Sequence, residues 1–164
     1  MATPMSIMVV GGQAWDQKFK AMESKEYQVD LEWKEKKIGE ISSPILNDNI
    51  AVATPTEFPG GIEGIWSPEH LLTAAVNSCF MTTFLAIAEK SRLNFKSFTC
   101  QAKGKLELVE KSFKMTEVNL YPVLTLENIE DQDKANKLLV KSENACLISN
   151  SIMSKVILNI TINH

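Results

Sequence analysis

Two cysteines in this chain belong to helical patterns that are far apart in the sequence, and such a pair could carry out redox chemistry. Cys79 lies inside a predicted helix, and Cys146 lies at the end of another, immediately before Leu-Ile-Ser-Asn-Ser. The thiolate is the reactive form of cysteine, so this chemistry needs a group that lowers the pKa of one of the two thiols. The same positions also suit cysteines that only pack, and the pattern by itself leaves both interpretations open.

The surroundings of the two thiols predict different roles. Cys79 is too far from the start of its helix for the helix dipole to lower its pKa, so a cation would have to come from elsewhere. At Cys146 one helix ends, and Ser149-Asn150-Ser151 indicates that a short one begins, which would direct backbone N–H groups towards the sulfur. A thiol at such a position suits a resolving role, in which it completes a disulfide.

Other residues that could do chemistry give weaker signals. Cys100 lies on the apolar face of an alternating strand and is predicted to be a small core residue. The two histidines, His70 and His164, are too few for a histidine-rich metal site, and no Cys-x-x-Cys motif is present. We therefore expect no metal and no cofactor. A net charge of −3 without a cluster of basic residues argues against a nucleic-acid partner.

The elements that must position these residues form an α+β pattern, because the strands are grouped rather than alternating with helices. Strand patterns are found over Tyr27–Lys34, Lys36–Ile41, Ile50–Ala53, Ser97–Leu108, Ser112–Leu126 and Lys155–Ile162. The two long strands are predicted to form an antiparallel hairpin that turns near Lys111. Helical patterns cover Asp131–Asn144 and a segment that Ser67 caps and that runs to about Lys90. A loop rich in Gly and Pro precedes this second segment.

The helix that contains Cys79 carries no charge from Leu71 to Ala88. A membrane span is one interpretation, but polar residues such as Asn77 fall inside the helix and strand patterns surround it, so we predict no membrane partner. A soluble helix that is apolar nearly all round is buried on all sides. In a domain of this size such cover is hard for one sheet and one other helix to supply, and we predict a homodimer with this helix near the interface. We find no secretory signal and few cysteines, which predicts a cytoplasmic protein.

Two segments of the chain resemble the signatures of the OsmC/Ohr family. The first runs from Phe58 to Cys79 and reads FPGGIEGIWSPEHLLTAAVNSC. It is similar to the glycine-rich loop and Pro-Glu-x-Leu-Leu helix that carry the reactive cysteine of that family. The second, ENACLISNSI around Cys146, resembles the segment of the second cysteine. The resemblance predicts an OsmC-like domain over residues 27–164, preceded by an N-terminal extension over residues 1–26.

The resemblance implies a fold, an activity and a set of site residues. The fold would be an intertwined α+β homodimer with antiparallel sheets around a buried central helix. The activity would be reduction of organic hydroperoxides, with Cys79 as the attacking thiolate and Cys146 as its disulfide partner. A dithiol of the lipoyl type would then reduce the disulfide. Glu69 matches the catalytic glutamate of the family, and it lies about 15 Å from Cys79 along the helix axis. The two residues therefore cannot touch within one chain.

The chain departs from the family at the arginine that holds the thiolate and the peroxide. Lys37 stands nearest that position, and lysine supplies charge without the planar pair of donors. Two functions stay open as a result. One is a thiol-dependent peroxidase that uses Cys79, Cys146, Glu69 and Lys37. The other is a non-catalytic OsmC-like dimer that binds a small apolar ligand at its interface.

Overall fold

A computed structural model describes residues 24–164 of the chain. The predicted N-terminal extension over residues 1–26 falls almost entirely outside the described residues. From Asp30 onward the structure contains two β-sheets and two α-helices. The predicted α+β class is confirmed.

The first sheet has three antiparallel strands in the order β1-β2-β3. They are β1 (Asp30–Glu35), β2 (Ile38–Ser42) and β3 (Ile50–Ala53). The alternation that predicted β1 puts Leu31 and Trp33 on one face, where they are 69% and 71% exposed. A single chain thus leaves uncovered the face that the sequence predicted to be half-buried. The N–H of Ala53 donates to the carbonyl of Trp66 at 2.8 Å and ties this sheet to the helix that follows.

Helix α1 (Pro68–Lys90) begins at a cap formed by Ser67 and His70. The N–H of His70 donates to Ser67 Oγ at 3.3 Å, and the N–H of Ser67 donates to His70 Nδ1 at 3.4 Å. Such a reciprocal pair satisfies N–H groups that a helix start leaves without partners. The predicted Ser67 cap is confirmed, and histidine replaces the glutamate or glutamine that usually completes this arrangement.

Helix α1 buries one stripe rather than its whole surface. Its fully buried side chains, spaced four residues apart, are Val76, Phe80, Phe84 and Ala88. Met81 and Leu85 remain 38% and 41% exposed, so one chain does not supply the predicted burial on all sides. The length of α1 and its mean hydropathy of 1.7 would also suit a membrane span. The buried stripe, however, is part of the core cluster that includes residues of the second sheet.

The second sheet is built on a long antiparallel hairpin of β4 (Phe95–Val109) and β5 (Ser112–Leu126). Glu110 and Lys111 form its turn with φ of 49° and 69°, which confirms the predicted position near Lys111. Four alternate apolar residues of β5 face the core: Val118, Leu120, Leu124 and Leu126.

The last predicted strand, Lys155–Ile162, is wrong as a single element. The structure divides it into β6 (Lys155–Leu158) and β7 (Thr161–Asn163), both parallel to β5. The N–H of Asn159 donates to the carbonyl of Leu120, so the backbone of Leu120 faces the edge of β5 along which β6 and β7 lie. Alternate residues of a strand face the same edge, and the backbone of Pro122 therefore faces β6 and β7 as well. Pro122 has no N–H to donate, and the neighbouring strand is interrupted opposite it.

Helix α2 (Gln132–Asn144) packs against α1, and α1 in turn packs against β4 and β5. Ala135 and Leu139 carry the contact of α2 with the core. This arrangement matters for function because the end of α2 and the middle of α1 come together, and each carries one of the two cysteines.

Candidate active site

Cys79 of α1 and Cys146, which follows α2, are neighbours in the folded chain. The N–H of Ile148 donates to Cys79 Sγ at 3.5 Å, so the segment after Cys146 lies directly on the Cys79 sulfur. Both thiols are free; Cys79 is half-buried and Cys146 is fully buried. The fold thus brings together the two cysteines that the sequence singled out, although the sequence left open whether they pair.

Hydrogen bonding, and not a cation, makes Cys79 the more acidic thiol. Burial raises its pKa, but the Cys146 thiol, the N–H groups of Ile148 and Leu147 and the Thr83 hydroxyl outweigh burial, and the pKa of Cys79 is lowered. Among the described residues of one chain no cation contributes to this shift, and the cation predicted to come from elsewhere stays a prediction. Neutral donors supply the stabilisation, because each of them favours the thiolate over the thiol.

Cys146 has the opposite character. Burial raises the pKa of Cys146, and its proximity to Cys79 raises it further, while the hydroxyl and N–H of Ser149 offset only part of the change. The pair is thus asymmetric: the pKa of Cys79 is lowered and that of Cys146 is raised, so Cys79 is the thiol that ionises more readily. This asymmetry is the one needed by a thiol that attacks and a second thiol that resolves.

The turn after α2 provides the backbone donors to both sulfurs. Helix α2 ends at Asn144, and a single 3₁₀ turn (Ser149–Ser151) begins five residues later. Between the two, successive N–H groups point to the thiols, with Leu147 and Ile148 on Cys79 and Ser149 on Cys146. A concave run of N–H groups of this kind stabilises an anion. The predicted short helix with its N–H groups facing the thiol is confirmed.

Glu69 and Lys37 lie in a different place, a cleft of about 590 Å³ between the first sheet and the start of α1. The cleft is lined mainly by apolar residues, among them Leu31, Trp33 and Phe58. Among the described residues, no hydrogen-bond partner meets the buried Glu69 Oε2. Lys37 Nζ donates to the carbonyl of Pro59 and so ties the turn between β1 and β2 to the glycine-rich loop.

Within one chain the four predicted site residues therefore form two separate groups. Neither cysteine lines the cleft that holds Lys37 and Glu69. This agrees with the axial distance between Glu69 and Cys79, which is about 15 Å. One chain has the thiol pair and, elsewhere, a carboxylate with a lysine.

Cys100 and His70 have structural environments. Cys100 packs against the core cluster, and burial raises its pKa to about 11. A thiol of that kind is protonated and unreactive at neutral pH, in agreement with the predicted packing role. His70 caps α1, as described above. Within residues 24–164, no cluster of three or more His, Cys, Asp or Glu side chains could hold a metal ion.

Sequence reasoning missed Thr83 as a neighbour of the reactive sulfur. It lies four residues after Cys79, the spacing that places two side chains on the same helix face. Thr82 Oγ1 donates to the carbonyl of Cys79 at 3.0 Å, whereas the Thr83 hydroxyl acts on the sulfur. The helical spacing was available from the sequence and could have identified Thr83.

Comparison with known proteins gives consistent matches. The sequence model of the family described as OsmC-like protein matches residues 61–161. The uncharacterized protein YmaD of Bacillus subtilis (strain 168) is 29% identical over 122 residues, which cover 73% of this chain and 79% of that protein.

Solved structures share the fold at low sequence identity. An OsmC-like protein of unknown function from Vibrio cholerae superposes with a TM-score of 0.74 at 23% identity, over 84% of this chain and 99% of that one. An organic hydroperoxide resistance protein from Legionella pneumophila superposes with a TM-score of 0.66 at 19% identity, over 87% of this chain and 100% of that one. The organic hydroperoxide resistance protein OhrB of Bacillus subtilis superposes with a TM-score of 0.58 at 17% identity, over 84% of this chain and 98% of that one.

Proposed function

This chain belongs to the OsmC-like protein family, and we propose that it is a thiol-dependent peroxidase that reduces organic hydroperoxides. The observation that carries the proposal is the asymmetric thiol pair, in which the pKa of Cys79 is lowered and that of Cys146 is raised. Two of the structural relatives are named as organic hydroperoxide resistance proteins, and they give secondary support.

The proposed reaction has three steps. The Cys79 thiolate attacks the terminal oxygen of the hydroperoxide, the O–O bond breaks, and the products are a sulfenic acid on Cys79 and an alcohol. The Cys146 sulfur then displaces the sulfenic oxygen as water and forms a disulfide with Cys79. Finally an external dithiol, of which a lipoyl group is the expected kind, is oxidised to its own disulfide and returns both cysteines to thiols.

Glu69 and Lys37 would act in this reaction only across a subunit interface. Their cleft does not include the thiols of the same chain, so we propose a homodimer in which one protomer presents the cleft to the thiols of the other. The bare apolar side chains of β1 and α1 support a second copy as the missing cover. Lys37 would contribute positive charge near the peroxide, and Glu69 would fix donors around it. We expect the dimer in the cytoplasm.

A second candidate function is binding of a small apolar ligand without catalysis. The separation of the apolar 590 Å³ cleft from the thiols favours it, as does lysine in place of the family arginine. In that case the cleft would be the functional site, and Cys79 and Cys146 would have no catalytic role.

The two functions are separated by a hydroperoxide consumption assay with a dithiol. Cumene hydroperoxide would be incubated with dihydrolipoamide and the wild-type protein, Cys79→Ser or Cys100→Ser. We expect Cys79→Ser to abolish turnover and Cys100→Ser, the matched control, to leave it unchanged, because Cys100 is a core thiol. Equal rates for wild type and Cys79→Ser would reject the peroxidase and leave ligand binding.

A further inference from the structure

The segment Cys146–Ser151 separates its backbone groups onto two sides. The N–H groups of Leu147, Ile148 and Ser149 face the sulfurs, and that of Ile148 reaches Cys79 Sγ at 3.5 Å. Its carbonyl groups are bonded by side chains that follow in the same segment. Ser151 Oγ donates to the carbonyl of Leu147 at 2.7 Å, for example. The direction of the N–H groups therefore depends on how firmly the carbonyl side is held.

Asn150 makes the largest number of bonds on that carbonyl side. Its Nδ2 donates to the carbonyl of Asn144 at 3.0 Å and to that of Cys146 at 2.9 Å. Its backbone N–H also donates to the carbonyl of Cys146, at 3.1 Å. One amide side chain thus joins the last residue of α2 to the residue that carries the second thiol.

We propose that Asn150 is a positioning residue for Cys79, holding the Cys146–Ser151 segment so that the N–H of Ile148 stays on the Cys79 sulfur. The proposal deepens the proposed function, since it assigns a residue to the same thiol site. Asn150 does not touch either sulfur. It acts through the backbone of the segment. Without the Asn150 side chain the segment would keep its place after α2, but its N–H groups would be less firmly directed at the Cys79 sulfur.

The location of Asn150 distinguishes this role from a general contribution to stability. Its side chain is exposed, and its partners are carbonyls at a helix end and in a turn, which water can also satisfy. Removing the amide therefore costs the fold little. The hydrogen bond from the N–H of Ile148 to Cys79 Sγ spans 3.5 Å, and such a bond weakens steeply when its angle is disturbed.

The chain offers a matched control in Asn159. It is also an exposed asparagine, and its backbone N–H and Nδ2 both donate to one carbonyl, that of Leu120, at 2.8 and 3.4 Å. It lies between β6 and β7 and not in the thiol segment. Replacing either asparagine by alanine removes the same side-chain donor, but only Asn150→Ala acts on the turn that faces Cys79.

The test is the rate at which iodoacetamide alkylates Cys79 in the full chain, followed by mass spectrometry of the Cys79 peptide as a function of pH. We expect Asn150→Ala to slow alkylation at neutral pH about threefold or more and to move the pH profile upward, because one thiolate donor is weakened. Asn159→Ala should reproduce the wild-type profile. The measurement needs no peroxide, so its outcome is independent of whether the chain reduces hydroperoxides.

A wild-type profile for Asn150→Ala would overturn the proposal, whatever the melting temperature of the variant. An equal shift in both asparagine variants would also overturn it, because the effect would then be general. If Asn150→Ala does not fold, Ser151→Ala removes a single bond from the same carbonyl side and takes its place. It must shift the Cys79 profile in the same direction, and an unchanged profile would reject the role of the segment.

Discussion

At the residue scale, Cys79 is more acidic than burial alone would make it, and its neighbours explain why. Thr82 and Thr83 follow it on the same helix but have different targets. Thr82 Oγ1 bonds the carbonyl of Cys79, and the Thr83 hydroxyl lowers the pKa of the thiol. A hydroxyl that follows a helical residue ordinarily returns to a backbone carbonyl. Here the hydroxyl of Thr82 follows that rule, whereas the hydroxyl of Thr83 bonds the sulfur.

This division predicts different effects for two nearly identical substitutions. Thr83→Val keeps the shape of the side chain and removes its hydroxyl, so it should slow alkylation of Cys79 at neutral pH by about threefold or more. Thr83→Ser should restore the rate, and Thr82→Val should leave it unchanged. The measurement is the iodoacetamide rate at Cys79 in each variant. Equal slowing by Thr82→Val and Thr83→Val would contradict the role given to Thr83.

The pH dependence of the thiols follows from the directions of their pKa values. Cys79 has a lowered pKa, so its thiolate should persist as the pH falls below the ordinary thiol value of about 8.5. Cys100, whose pKa is raised to about 11, should lose its small reactive fraction over the same range. The ratio of the alkylation rates of Cys79 and Cys100 should therefore increase as the pH is lowered from about 9 to about 7. The midpoint of the Cys79 pH–rate profile decides whether the pKa is lowered: a midpoint at or above about 8.5 would show that Cys79 is an ordinary thiol.

At the element scale, the periodicity of apolar residues predicted most of the strands and helices. It failed where the backbone of a neighbouring segment determines the structure. The alternation of apolar and polar residues located β1 to β5, and the serine cap located α1. The interruption between β6 and β7 could not be read from their own residues, because it arises from Pro122 in the strand beside them. The donors around Cys79 were missed for a related reason, since they come from the backbone of a segment distant in sequence.

The β4–β5 turn gives a stability prediction at this scale. Glu110 and Lys111 both have positive φ, a conformation that residues with a side chain adopt at a cost. Replacing the pair by Asn-Gly, the preferred dipeptide of this turn, should raise the free energy of unfolding by about 1 kcal/mol. Chemical denaturation would measure it, with Glu127→Asn as a control at an exposed position outside the turn. A loss of stability in the Asn-Gly variant would show that the turn is not strained.

At the scale of the whole molecule, the described chain leaves apolar surface on two elements that one copy does not cover. Leu31 and Trp33 of β1 and Leu85 of α1 are all substantially exposed. The sequence could predict that α1 needs a partner, because the helix is uncharged over most of its length. It could not predict which surfaces meet, since that depends on how the first sheet is placed relative to α1.

The proposed dimer can be tested with substitutions on the two faces of β1, one as the variant and the other as its control. Leu31→Asp puts a charge on the apolar face and should shift the protein from dimer to monomer in sedimentation velocity. Glu32→Gln, on the other face, should leave the dimer intact. If the wild-type protein sediments as a monomer at micromolar concentration, the placement of Lys37 and Glu69 at the thiols of a second copy would be wrong.

In the proposed reaction Cys79 attacks a hydroperoxide, and Cys146 then forms a disulfide with it. The most direct measurement is mass spectrometry of the reduced protein after one equivalent of cumene hydroperoxide. We predict loss of the two thiol hydrogens and a disulfide that maps to Cys79 and Cys146, whereas Cys146→Ser should stop at a sulfenic acid on Cys79 that dimedone traps. Free thiols at both positions after the treatment, or a disulfide that excludes Cys79, would contradict the account.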